Sequence, residues 1–390
     1  MLNLKKSILA SAIAASTLAT AAIAEEQKGF METMADGDAS VSFRYRMESV
    51  TQDAKPEDAL ANTLKTRLNY KTGEYNGFGA FLEFDSVSEL AEKDYDDGLN
   101  GKTDYPVIKD PEYTAMNQGY VKYSNSGASA KYGRTRILLD NQRFVGGVAW
   151  RQNEQTFDAF AADYKNDNLT LTYAHIMNRL NIVGDIDDTK DDLLNVQYKF
   201  SPAAVLTGYG YFLSKENVDK SDNDTIGASF TGKAGGFEYR AEAAQQETDA
   251  YSAMYSHLKG SYKAGAVKLG LGYEVLGADG ADGSVGFAYG TNHKFNGWAD
   301  MFLKTPTGGL VDLYGSVGGK FGPVSGAIIY HDYESDDSSV GAGDLGSEID
   351  FVVKGKAGPV GLLLKYANYS SSDDYGTDTQ KLWLQATTKF

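Results

Sequence analysis

The strongest constraint on the fold is a two-residue alternation of apolar and charged side chains that recurs along the chain. In residues 41–48, Val, Phe, Tyr and Met occupy one parity, whereas Ser, two Arg and Glu occupy the other. Alternate side chains of a β-strand point to opposite faces of its sheet. The pattern therefore predicts a sheet with one apolar and one strongly charged face. It returns in residues 65–70, 78–85, 194–200, 237–243 and 267–275.

The connections between these predicted strands alternate between long and short. Weaker alternating segments bring the total to about 18 strands, with boundaries accurate to a few residues. Short connections such as TGEYNG (72–77) and FGP (321–323) contain the Gly, Asn and Pro that tight turns require. The long connections include residues 135–154, 179–191 and 277–310. Short turns at one end and long loops at the other are typical of outer-membrane barrels, whose long loops are external.

A membrane barrel accounts for a sheet that is charged over a whole face. Hydrocarbon offers no hydrogen bonds, so a membrane-spanning sheet must close on itself to pair every backbone group. A barrel of about 18 strands is too wide for side chains to fill, and its charged face would line a wet lumen. Many of the 26 Tyr are then expected in the two interfacial girdles. We predict an all-β fold, a transmembrane antiparallel up-and-down β-barrel, rather than a soluble sandwich.

The two ends of the chain fit this interpretation. Lys5 and Lys6, the apolar run Ile8 to Ala19 and the small residues of 22–24 are typical of a secretory signal peptide. The last segment, KLWLQATTKF (381–390), keeps the alternation up to its final Phe, as expected if the last strand closes against the first. The predicted organisation is a signal peptide at 1–24, a periplasmic N-terminal segment at 25–38 and a transmembrane β-barrel at 39–390. The predicted location is the outer membrane, reached through the periplasm.

Composition excludes several other classes of protein. A formal net charge of −16 is unsuited to binding nucleic acid. The chain has no Cys, which excludes disulfides, thiolate metal sites and a lipoprotein anchor. It lacks the H-E-x-x-H and G-x-S-x-G motifs, and its four His are far apart in sequence. We therefore expect no catalysis, no cofactor and no metal.

Three segments resemble a known family. GRTRILLDNQRFVGGVAWRQNEQTFDAF (133–160), HKFNGWADMFL (293–303) and GGLVDLYGSVGGK (308–320) resemble Gram-negative outer-membrane porins with an alginate-export-like domain. Phe390 is similar to the C-terminal aromatic residue by which such barrels are recognised for assembly. The resemblance implies an 18-stranded channel that passes hydrophilic, often anionic, solutes. It also implies contact with outer-membrane lipid, lipopolysaccharide and the barrel-assembly machinery.

Basic residues are concentrated in the first two-fifths of the chain. Arg44, Arg46, Lys65 and Arg67 lie on the polar parity of adjacent strands, which predicts a basic patch on the inner wall. The loop 135–154 adds further charges, and in porin-type barrels a loop at this place often folds inward, which is an analogy. The candidate pore-lining and selectivity residues are Arg44, Arg46, Lys65, Arg67, Glu83, Asp85, Arg134, Arg136, Asp140, Arg143, Arg151 and Glu154.

These residues support two interpretations. In the first, the cations form a basic ladder, faced by acids such as Glu83 and Asp85, that favours small anions or sugar acids. In the second, the cations pair with those carboxylates and only stiffen the wall. The residues Phe295, Trp298, Met301 and Phe302 also predict a short apolar helix inside the longest loop, where packing of the loop is favoured over a ligand-binding box.

The sequence thus predicts a porin for passive diffusion of small hydrophilic solutes, with anionic solutes among the candidates. The main alternative is a substrate-specific channel for sugar acids or for export of an alginate-like acidic polysaccharide, which would show saturable transport. A surface adhesin would conduct nothing, and a barrel hydrolase would depend on one Ser or His. Oligomeric state stays open between monomer and homotrimer.

Overall fold

The computed structural model describes residues 29–91, 93–218 and 221–390. The predicted signal peptide lies outside the described residues. A short helix, α1 (Phe30–Ala35), precedes the barrel, and a single 3-10 turn occurs at Asn292–Lys294. No helix in the described part of the chain is long and apolar enough to cross a membrane. The strands are β1 Asp38–Gln52, β2 Ala59–Lys71, β3 Phe78–Glu89, β4 Tyr113–Asn125, β5 Ala128–Thr135, β6 Thr156–Lys165, β7 Leu169–Leu180, β8 Ile186–Ser201, β9 Ala204–Leu213, β10 Asn223–Ala234, β11 Phe237–Thr248, β12 Ser252–Ala264, β13 Val267–Leu276, β14 Leu310–Phe321, β15 Val324–Glu334, β16 Asp344–Ala357, β17 Val360–Ser370 and β18 Thr379–Lys389.

The strands form one closed antiparallel sheet of 18 strands, as the sequence predicts. Each strand pairs with its neighbours in sequence, and β1 pairs with β18 from Ser42↔Lys389 to Gln52↔Thr379. Val41 and Phe390 exchange two further backbone hydrogen bonds, of 3.0 and 2.8 Å. The last residue of the chain is therefore part of the wall that closes the barrel.

The two faces of the sheet divide as the alternation predicts. Leu68, Ile226 and Leu271 are 54%, 61% and 63% exposed, and belong to an apolar band around the outside. The neighbouring inward side chains are charged and buried, with Glu83 at 3% and Asp85 at 5% exposure. An exposed apolar face is stable only against lipid, because in water a surface of this extent would aggregate.

Aromatic side chains lie on both faces of the sheet, whereas the sequence indicated a position for tyrosines only in the girdles. Exposed ring pairs near the short turns include Phe237 with Tyr262, whose centroids are 4.5 Å apart. Other tyrosines point inward, where their hydroxyls donate to buried acids, as in the 2.7 Å hydrogen bond from Tyr255 to Glu274. A tyrosine suits such a position because its ring packs while its hydroxyl pairs with the carboxylate.

Two local predictions are wrong. Residues 179–191 are not a long loop, because β7 continues to Leu180 and β8 begins at Ile186. The acidic stretch is tolerated in strand because its acids have hydrogen-bond partners, with Arg179 Nε donating to Asp187 at 2.8 Å and the Tyr289 hydroxyl donating to Asp191 at 2.6 Å. The predicted apolar helix around Trp298 is a series of turns instead, in which the side chains pack as a loop.

Candidate functional site

The loop between β5 and β6, residues 136–155, lies inside the barrel and is here called the inner loop. Near one end, Gln152 is fully buried and donates to Thr63 Oγ1 of β2 at 2.8 Å. Farther along, Arg143 Nε lies 2.9 Å from Glu274 Oε1 of β13. Strands β2 and β13 stand on nearly opposite sides of the ring of strands, so the inner loop crosses the lumen.

A second segment, residues 277–309 between β13 and β14, also enters the lumen and is here called the long loop. It meets the inner loop through a 2.8 Å backbone hydrogen bond from Gly146 to Tyr289. Asn296 of the long loop donates to Glu274 at 2.8 Å and to Asp312 at 3.0 Å. Together the two loops narrow the barrel at the depth of the charged side chains.

Six of the candidate residues form one ionic cluster beside the inner loop, here called the Glu154 network. Glu154 lies 2.5 Å from Arg67 and 3.4 Å from Lys65, and Arg136 also donates to it. Asp85 accepts from Lys65 at 2.9 Å and from Arg67 at 2.7 Å. Glu83 completes the cluster, since Arg136 donates to it and Arg67 lies 3.5 Å away. Three cations thus face three carboxylates at short range.

The charges of the Glu154 network determine the protonation state of Glu154. Burial alone would raise the pKa of Glu154, but the charges of Lys65, Arg136 and Arg67 outweigh burial and hold that pKa well below its ordinary value. Glu154 is therefore ionised at neutral pH, and the six charges balance. The network binds the inner loop to β2 and β3.

Three other candidate arginines hold the inner loop to β1 or to the long loop. Arg44 donates to the Ala149 carbonyl at 2.9 Å and to Gln152 at 2.8 Å. Arg151 lies 3.1 Å from Glu48 and 3.5 Å from Asp300. Arg46 donates to Gln385 at 2.7 Å and stacks over Trp150, whose ring centroid is 4.1 Å from its guanidinium carbon.

The remaining candidates lie apart from this group. Asp140 accepts from Asn195 of β8 at 2.7 Å, on another side of the lumen. Arg134 differs from the expectation of a lumen position. Arg134 lies two residues after Tyr132 in β5 and therefore on the same face of the strand. Tyr132 is 58% exposed on the outer face, so Arg134 also points outward, where it pairs with Asp158 at 2.8 Å. Arg136 nevertheless points inward because the chain leaves β5 at Thr135, where the strict alternation ends.

Sequence reasoning missed a buried acidic wall opposite the basic residues. Four carboxylates lie on the inward parity of β13, β14 and β16, each at most 1% exposed: Glu274, Asp312, Glu348 and Asp350. Their partners come from the loops and from β15. Arg143 and Asn296 bind Glu274, His331 Nδ1 lies 2.9 Å from Asp312, and the backbone N–H of Ala299 donates to Glu348 at 2.7 Å. Inward parity was the available signal for these acids.

Sequence reasoning also missed a cage around Lys365 of β17. Its Nζ lies 4.0 Å from the ring centroid of Trp150, 3.9 Å from that of Trp298 and 5.1 Å from that of Trp383. These are all the tryptophans of the chain. Burial lowers the pKa of His293 well below its ordinary value and outweighs the opposing charge of Asp300, so His293 is neutral and accepts from Lys365 Nζ at 2.6 Å.

The comparisons with known proteins agree with this architecture. Pseudomonas aeruginosa OpdK with vanillate superposes with a TM-score of 0.68 at 14% identity, over 90% of this chain and 98% of that one. OpdO of the same organism gives 0.68 at 16% identity, over 92% and 98%. Acinetobacter baumannii OccAB4 gives 0.67 at 15% identity, over 90% and 98%. No curated protein matches the chain. The alginate export family model matches residues 40–297, and the chain therefore belongs to the alginate export family.

Proposed function

We propose that this protein is a porin-type channel through which small hydrophilic solutes diffuse passively across the outer membrane. The observation that carries the proposal is the combination of an apolar outer band with a charged lumen narrowed by the inner and long loops. Solute would move down its gradient, with no catalytic step and no cofactor. The narrowing sets which solutes pass, because rings of charged side chains act on ions at close range.

Two cavities lie on either side of the inner loop and mark the proposed route. The outer cavity, of about 550 Å³, is bordered by Arg151 and Gln155 of the inner loop together with residues of the long loop. The inner cavity, of about 380 Å³, is bordered by Glu154 together with residues of β1, β2, β16 and β18. A solute would therefore have to pass the inner loop to travel from one cavity to the other.

The inner cavity favours a preference for carboxylate solutes. Glu154 is the single carboxylate in the lining of this cavity. The lining also contains five cations, which are Arg44, Lys65, Arg67, Lys356 and Lys389. The planar fork of arginine suits the two oxygens of a carboxylate. OpdK, which shares this fold, has been crystallised with vanillate, which is a carboxylate. This reasoning supports the substrate-specific candidate, a channel for sugar acids or similar small carboxylates.

Planar-bilayer recording tests both levels of the proposal. Purified wild-type protein should give ohmic conductance steps, and gluconate should reduce the current at high concentration with saturation. The double variant Lys356→Gln/Lys389→Gln should weaken that reduction several-fold and shift selectivity away from anions. Lys320→Gln/Lys354→Gln, on inward positions outside this cavity, is the matched control. The absence of conductance would refute the channel, whereas block by uronate oligomers but not by monomers would favour polysaccharide export.

The membrane partners belong to the same proposal. Outer-membrane lipid would contact the apolar band, and lipopolysaccharide would contact the end that carries the long loops. The Phe390 ring is 71% exposed on the barrel, 6.4 Å from the ring of Phe43, where assembly machinery has access to it. Replacement of Phe390 by Ala should lower the amount of heat-modifiable barrel in outer membranes. Phe321→Ala, which removes a 60% exposed ring from the same rim, should not.

A further inference from the structure

A third cavity lies inside the barrel on the wall opposite the inner cavity, near the short turns. Its volume is about 700 Å³, and its lining comes from the inward side chains of β8 to β15. It shares no residue with the inner cavity bounded by Glu154. We call it the lysine cavity because of its charged lining: Lys199, Lys233, Arg240, Lys259 and Lys268, with Glu238 as the only acid.

The lysine cavity exists because the inward positions of three neighbouring strands carry very small residues. Gly270 of β13 faces Ser316 of β14, and Gly318 of β14 faces Ala327 of β15. A Cβ added at Gly270 would lie 2.5 Å from Ser316 Oγ, and one at Gly318 would lie 2.9 Å from the Ala327 Cβ. The wall is thus recessed at this place, with hydroxyl and backbone groups at its floor.

The cations around this recess are not balanced by acids. Glu238 is shared between Lys233 at 3.0 Å and Lys268 at 2.6 Å, and Arg240 pairs with Glu242 at 2.7 Å. Lys199 and Lys259 form no ion pair with any residue that the structure describes. The cavity therefore keeps an excess of positive charge that faces the lumen.

The donors identify the class of anion. Four of the five cations are lysines, which act as point charges with rotatable donors, and the one guanidinium already serves Glu242. Thr231, Ser261 and Ser316 add hydroxyl donors to the same lining. A planar carboxylate has only two acceptor oxygens and can accept from few of these lysine and hydroxyl donors. A phosphate group uses these donors fully, because it carries nearly two charges at neutral pH and has three strong acceptor oxygens.

We infer that the lysine cavity is a weak, reversible site for the phosphate group of small phosphate-bearing solutes, including the free ion. The inference rests on the proposed function, since the site serves a solute that enters or leaves through the lumen. Its lysines remain exposed to water, as required of a site that must release what it binds. The cavity gives the channel a second class of solute, recognised on a different wall from the carboxylates.

Calorimetric titration of detergent-solubilised protein tests this inference without any need for conductance. Wild type should bind inorganic phosphate and glycerol 3-phosphate, and should bind acetate much more weakly. The variant Lys199→Gln/Lys259→Gln should weaken phosphate binding roughly five- to tenfold, because two unpaired charges are lost at exposed positions. These two substitutions break no ion pair within the described chain, so folding is expected to be retained.

The control is Lys122→Gln/Lys131→Gln, which removes two inward lysines paired across β4 and β5 that line neither cavity. It should leave phosphate binding unchanged. An equal loss in the control, or equal binding of acetate and phosphate by wild type, would overturn the inference. A protein that conducts but binds no phosphate would refute the lysine cavity alone. A protein that binds phosphate but does not conduct would refute the channel alone.

Discussion

Replacement of Glu154 by Gln is the sharpest test of how the lumen chooses between anions and cations. The carboxylate sits among Lys65, Arg67 and Arg136, with Arg67 at 2.5 Å and Lys65 at 3.4 Å. Glutamine has nearly the same shape, and its one amide oxygen can still accept from Lys65 and Arg67, whereas its amide nitrogen is a donor and can no longer accept from Arg136. The substitution therefore changes charge with little change in packing, and the Glu154 network goes from balanced to one positive charge in excess.

The size of the effect follows from Coulomb's law. For an ion that passes about 6 Å from the lost charge, the energy is about 0.7 kcal/mol in water and about 2.8 kcal/mol at an effective dielectric constant of about 20. Water and salt in the lumen place the real value toward the lower limit, because the Debye length is about 10 Å at 0.1 M salt. We expect the anion-to-cation permeability ratio to rise about three- to tenfold.

Reversal potentials in a KCl gradient measure this ratio directly. The control is Glu216→Gln, which removes the same charge from an exposed position in the loop between β9 and β10. It should leave the reversal potential unchanged. An unaltered ratio in Glu154→Gln, or an equal change in both variants, would refute the view that solutes pass beside the network.

Three further outcomes are expected. Lowering the pH from 7 to about 3.5 should leave the difference in selectivity between wild type and Glu154→Gln unchanged, because the pKa of Glu154 is depressed and its stabilising charge is lost only as pH falls through that depressed value; loss of the difference near the ordinary carboxyl pKa of about 4.3 would contradict this. Lys365→Met should change tryptophan emission strongly, because all three indoles surround the amine. The free energy of unfolding should change by about 1 kcal/mol or less, because the loss of cation–π attraction is offset by the removal of the cost of desolvating the amine. Lys354→Met should change neither the emission nor the free energy of unfolding. Leu271→Arg, on the apolar band, should lower the free energy of unfolding measured in lipid bilayers by about 2 to 4 kcal/mol. Gln197→Arg, on the inward face of β8, should lower it by less than about 1 kcal/mol.

The barrel could be read from the sequence because its signal is local. Alternation of side chains over a few residues, as in 41–48, already says which face of a strand is apolar, and turn residues mark where strands end. The same locality explains the error at 179–191. The sequence predicts a long connection there, but Arg179 pairs with Asp187 and the Tyr289 hydroxyl donates to Asp191, and the second partner comes from a distant loop.

Contacts between distant loops left no such local signal. The loop 136–155 could be expected inside the barrel only by analogy, and its partners could not be named. Arg143 meets Glu274 because the inner loop crosses the lumen as far as β13, and the three tryptophans around Lys365 come from two loops and a strand. Sequence spacing does not indicate such contacts between distant segments. In contrast, the alternation of residues in β13 to β16 does indicate that their acids face inward.

The contacts that the two walls make with the loops explain why the narrow part of the lumen should be rigid rather than gated. The acidic wall is occupied by loop groups, such as Arg143 on Glu274 and the Ala299 amide on Glu348. Withdrawing either loop would leave buried carboxylates without partners, which typically costs about 3 to 5 kcal/mol for each broken pair. The basic wall is different, because Lys356 and Lys389 line the inner cavity without ion pairs among the described residues. Paired charges on both walls thus hold the loops in place, and the unpaired Lys356 and Lys389 are left to meet the solute.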